Sequence, residues 1–185
     1  MISNEILKHL SQKAYENSIS HGFDMSDTNK WLTIAACEVA ELVDAYRRGK
    51  RADSSKMELY KLNVIAYYDN WKDTLQDEMA DIAIYCLSII GSGEFKVVHR
   101  EDYKEEFDER EERGEKHSDF YFSAARVMND LLTSRILGTS SLYHIIDYMD
   151  AWMKEETGDI LLDWIQAKMN FNKNRPYLHG RQEKQ

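Results

Sequence analysis

The chain has 185 residues, with 24 Lys and Arg against 33 Asp and Glu, and a formal charge of −9. That balance argues against nucleic-acid duplexes or anionic membrane surfaces as partners, because both need a cationic face. A hydrophobic fraction of 43% is enough for a core and too high for a disordered chain, while one Pro (Pro176) and eight Gly are too few turn residues for an all-β fold. A single all-α domain is expected over residues 1–185.

Residues 1–5 lack the basic and apolar regions of a secretion signal, and the longest nearly apolar run, 82–90, is far too short to span a bilayer. A cytoplasmic protein away from membranes is expected. Residues 4–20 predict a first helix, with Ile6, Leu7, Leu10, Ala14 and Ile19 loosely on one side. Gly22 and the polar stretch 24–29 break it. Asp27 or Thr28 can cap a second helix over about 30–48, which Arg47, Arg48 and Gly49 close well. Residues 50–68 are ambiguous, and Ser54 or Ser55 can cap a short helix reaching Asn63.

A third strong helix starts near Asp69 or Asp73, reaches Ile90 and stops at Gly91, Ser92 and Gly93. The charge-dense stretch 101–116, with nine acids and four bases, reads as a solvated helix or loop. Two amphipathic helices follow over about 119–137 and 141–156. Asp159 can cap a last helix reaching about Asn172, before a polar, basic tail. The pattern is five to seven helices, no convincing strand, and a helical bundle. Cys37 and Cys86 both fall in apolar helical patterns, which predicts buried free thiols, with a disulfide between them the alternative.

Acid pairs three residues apart arise often by chance in so acidic a chain, so their surroundings matter more than their spacing. Glu38 and Glu41 are the only charges in the window 31–43, and Asp81 is the only charge in 79–90, with Glu78 one turn earlier on the same face. Tyr85 continues that face. Buried carboxylates are costly without compensation, and four together repel. A hard divalent cation resolves the conflict by binding several carboxylate oxygens. The competing explanation is pairing with Arg or Lys from other helices, or exposure at a rim. No Glu-x-x-His occurs and no His lies in either window, which argues against iron and zinc and leaves Mg²⁺ or Mn²⁺. Lys168, Asn172 and Arg175, spaced by four and three, share one face if the last helix continues that far. They can hold phosphate oxygens, or form an ordinary basic helix end.

Taken together, Glu38-x-x-Glu41, Glu78-x-x-Asp81 and Lys168-x-x-x-Asn172-x-x-Arg175 resemble the MazG-like, all-α nucleoside triphosphate pyrophosphatases, which include the dCTP pyrophosphatases and dimeric dUTPases. The likeness covers about 28–90 and 159–181. It leaves 91–140 as a charged and helical insertion. It implies a MazG-like helical bundle that hydrolyses a nucleoside triphosphate between the α and β phosphates, with Glu38, Glu41, Glu78 and Asp81 as catalytic carriers of Mg²⁺. It also implies that Lys168 and Arg175 neutralise the triphosphate, that Asn172 orients it, and that a homodimer or homotetramer forms. Tyr85 is a further phosphate contact by helix facing. His21, Phe23 and Trp31 offer an aromatic wall for a base, with core packing the other reading of Trp31. Many members carry a Glu where this chain has Cys37, which leaves the ion count and general base open; Asp44 is an alternative contributor. The other functional class is a helical oligomer or partner-binding protein that retains the fold without turnover.

Overall fold

A computed structural model of the protein describes residues 2–62, 65, 70–94 and 119–174. The charge-dense stretch 101–116, most of 63–69, and Arg175 with the tail beyond it lie outside the described residues. Those described are helical with no strand, so the all-α expectation holds for them. The helices are α1 (Asn4–Ser20), α2 (Thr28–Arg47), a 3₁₀ turn (Ser54–Lys56), α3 (Met57–Leu62), α4 (Leu75–Ser92), α5 (Phe120–Leu137), α6 (Thr139–Thr157) and α7 (Leu161–Lys173). No described helix is long and apolar enough to cross a membrane.

The central element is α4. It is apolar nearly all round, and a helix of that kind must be covered on every side. It is packed against α1, α2, α6 and α7, and α5 lies on α2 and α6. Met79, Ile82, Ala83, Cys86, Leu87 and Ile89 are all buried, and each large side chain among them contributes about 1.5–3 kcal/mol through the area it removes from water. Within the segment 91–140, α5 is part of this core: Phe120, Ala124, Val127 and Leu131 are buried in it.

Local chemistry sets the helix ends. Asp27 caps α2 by accepting from the Lys30 N–H, and Gly49 follows its end at φ +65°. Thr74 caps α4. Two expectations are corrected here. Of the three residues expected to stop α4, only Gly93 does so, in the left-handed conformation; Gly91 and Ser92 are helical. Gly91 instead marks a close crossing with α1, where an added Cβ would overlap the Ser11 carbonyl oxygen and meet Tyr15 Cβ at 2.8 Å. Gly91→Ala should therefore destabilise the fold by about 1–3 kcal/mol through overpacking, measurable by urea denaturation. Asp159 does not cap α7 with its side chain. It accepts from Gln76 Nε2 (3.0 Å), and the Leu161 N–H donates to Asp150 of α6 instead.

Those contacts set the register of the acid-bearing helices. The Leu75 N–H donates to the Lys50 carbonyl, and Gln76 Oε1 accepts from the Ala52 N–H, so the segment after α2 is pinned to the start of α4. Gln76 also reaches the segment before α7 through Asp159. The beginning of α4 is thereby tied to both elements that complete the site.

Candidate metal and phosphate site

Glu38 and Glu41 come from α2, Glu78 and Asp81 from α4. Glu38, Glu41 and Glu78 converge: each offers a carboxylate oxygen, and these oxygens lie within 4.8 Å of one another. Burial is graded across the trio, with Glu78 buried, Glu38 half-buried and Glu41 exposed. Asp81 stands differently. It is half-buried, and its Oδ2 lies 2.7 Å from the Lys168 ammonium. The pairing explanation holds for Asp81, which has a lysine partner, while the three glutamates crowd together.

The crowding carries an electrostatic cost. The Glu38 carboxyl is pushed up to about 8, first by burial and then by the charges of Asp81 and Glu41, with Lys168 opposing. The Glu78 carboxyl is pushed up to about 9, first by burial and then by Asp77 and Asp81, again against Lys168. One lysine does not offset the acids around it, so both glutamates retain protons near neutrality unless another cation arrives.

Lys168 is buried at 4% exposure and bridges two acids, Asp77 Oδ1 at 2.5 Å and Asp81 Oδ2 at 2.7 Å. Asp77 is the site residue that sequence reasoning missed. It is 2% exposed, and its second oxygen accepts from the Asp73 N–H at 3.1 Å, steadying a turn in which Asp73 takes φ +61°. Its position four residues before Asp81 was the available signal. Asp44 does not join the acids; it pairs with Arg48 at 2.8 Å on the helix surface. Cys37 is exposed at the site, correcting the expectation of a buried thiol, while Cys86 is buried and its thiol is pushed up to about 12 by that burial.

These groups open on one cavity of about 620 Å³. Its acidic side holds Glu38, Glu41, Glu78 and Asp81. Another part is aromatic. Trp31 stacks on Tyr85 with ring centroids 5.9 Å apart, and Phe23 meets Trp31 edge-on at 5.6 Å. The Trp31 indole N–H donates to the Asp24 carbonyl at 2.6 Å and the residue is buried, so it is a fixed part of the fold as well as a cavity wall. His21 lies in the same wall and holds Asn17 O at 2.8 Å from its Nδ1. Asn172 also faces the cavity. It is 8% exposed, and its buried Oδ1 has no hydrogen-bond partner among the described residues. A buried acceptor in that state favours a ligand or water that donates to it.

The donor set suits a hard cation. Three carboxylate oxygens within 4.8 Å of one another are ligands of the type that Mg²⁺ takes. Comparison with protein-family models, curated proteins and solved structures gives no match.

Proposed function

We propose that the protein is a MazG-like nucleoside triphosphate pyrophosphohydrolase dependent on Mg²⁺, with Mn²⁺ a substitute, releasing a nucleoside monophosphate and pyrophosphate. The observation that carries this reading is the convergence of Glu38, Glu41 and Glu78 in one cavity with Lys168, Asn172 and an aromatic wall. A triphosphate needs compensation of its charge, which a cation held by these acids would supply, and a base needs a flat apolar surface, which Trp31 and Tyr85 offer. Glu38, Glu41, Glu78 and Asp81 are the groups that would hold the cation. When bound, it would neutralise phosphate oxygens and lower the pKa of a nearby water.

The chain's own residues then position the reactants. Trp31, Tyr85 and Phe23 form an aromatic wall against which a base can lie, and Asn172 lines the same cavity. Phosphate oxygens bring no protons, so they suit the Asn172 amide N–H groups. Its Oδ1 suits a water or a sugar hydroxyl. In-line attack on phosphorus asks mainly for such positioning and charge compensation.

The partner-binding alternative has one observation in its favour. Along α5, Phe122, Leu132 and Ile136 are 60%, 61% and 83% exposed, an apolar face that a second copy or another protein could cover. A panel of canonical and modified nucleoside and deoxynucleoside triphosphates, incubated with Mg²⁺ and assayed for pyrophosphate, separates the two. Release from at least one nucleotide is expected. Silence across the whole panel would favour the binding role.

A further inference from the structure

Lys168 is placed where a cation would be useful. Its ammonium sits between Asp77 Oδ1 (2.5 Å) and Asp81 Oδ2 (2.7 Å), while Glu38, Glu41 and Glu78 form the trio able to share one ion. An ammonium and a divalent ion cannot both take the same face of Asp81 without strong repulsion. Asp77 is buried and its other oxygen is held by the Asp73 N–H, so it gives Lys168 a fixed anchor. Asp81 is half-buried and borders the cavity, so it is the acid that can change partners.

Resting on the pyrophosphohydrolase reading, we infer that Lys168 is a built-in counter-ion that competes with the divalent cation for Asp81. An entering phosphate group draws the ammonium off Asp81 and thereby hands this carboxylate to the cation. The glutamate trio takes a cation weakly on its own, and the site is completed only when phosphate arrives. Cation and phosphate then strengthen each other's binding, and by linkage they do so equally. Asn172, one turn beyond Lys168 on α7, lines the same cavity, and its buried Oδ1 has no hydrogen-bond partner among the described residues, an independent sign of a missing donor at this wall.

The test is Mg²⁺ binding to the full chain without nucleotide, by titration calorimetry. Lys168→Met should bind Mg²⁺ about tenfold more tightly than wild type. The gain should disappear when Lys168→Met is made in an Asp81→Asn background. Inorganic phosphate should tighten Mg²⁺ binding to wild type, at matched free Mg²⁺, and should not do so for Lys168→Met. No gain in Lys168→Met, or an equal gain with Asp81 replaced, overturns the inference; the second result means that through-space charge alone is responsible. If Lys168→Met does not fold, Asp77→Asn/Lys168→Met neutralises both members of the buried pair and carries the same expectations. Failure of the underlying reading looks different: neither wild type nor any variant would bind Mg²⁺.

Discussion

Stripped of divalent cations, the protein should lose roughly 10 °C of melting temperature between about pH 5 and pH 9, and Mg²⁺ should restore most of it. In the unfolded chain Glu38 and Glu78 ionise near 4.5; in the fold they hold their protons up to about 8 and about 9. Across that window the folded state binds more protons than the unfolded state. The stability contributed by the two protonated carboxyls is therefore complete below 4.5 and is lost as pH rises through the folded values. Glu38 is half-buried and solvent moderates its share, so the combined loss is set at roughly 3 kcal/mol, not the full sum of the shifts. Differential scanning calorimetry in a chelator measures the slope, and Glu38→Gln/Glu78→Gln should flatten it. Mg²⁺ binding should release protons at pH 7, seen as a dependence of titration heat on the buffer's ionisation enthalpy. A flat pH profile in wild type would remove the electrostatic argument for a cation.

The parts of this protein written in local sequence were legible. The first helix spans the expected 4–20 and buries Leu7, Leu10 and Ala14, although Ile6 and Ile19 of the expected apolar side are exposed, and Asp27 and Gly49 bracket the second helix as capping chemistry requires. Glu38, Glu41 and Asp81 stood out because charge is rare in the windows around them, and Glu78 followed from sharing a face with Asp81; that rarity follows from the burial of α4 and of the inner face of α2. What was not legible depends on contacts between distant segments. Lys168 and Asp77 are 91 positions apart, and Asp77, near the start of α4, reads in isolation as an ordinary acid favoured by the helix dipole. Asp159 has the right residue type for a cap, but Gln76 takes its side chain and Asp150 supplies the capping oxygen. Gly91 reads as a stop until the close approach of Ser11 is known. Cys37 and Ala40 look like core by their composition, yet both are exposed, because α2 buries only the faces it turns to α4 and α5.

Glu78→Gln should have two effects of opposite sign: pyrophosphate release should fall at least a hundredfold, while the cation-free protein should become more stable. Glu78 is 3% exposed, and burial together with the charges of Asp77, Asp81 and Glu38 opposes its ionisation. Glutamine keeps the volume and much of the hydrogen-bonding capacity but removes the charge, so at pH 9 the variant should gain about 1–3 kcal/mol over wild type. It also removes one of three carboxylates from the set able to bind a cation, which is why turnover should suffer. Glu41→Gln should show the loss of turnover without a comparable gain in stability, because Glu41 is exposed and little is recovered by neutralising it. An acid that served only to hold helices together would give another pattern, with stability falling and activity declining in step. Pyrophosphate assays and melting curves in chelator distinguish these cases on the same preparations. Glu78→Gln turnover within tenfold of wild type would mean that the trio is not the catalytic metal site.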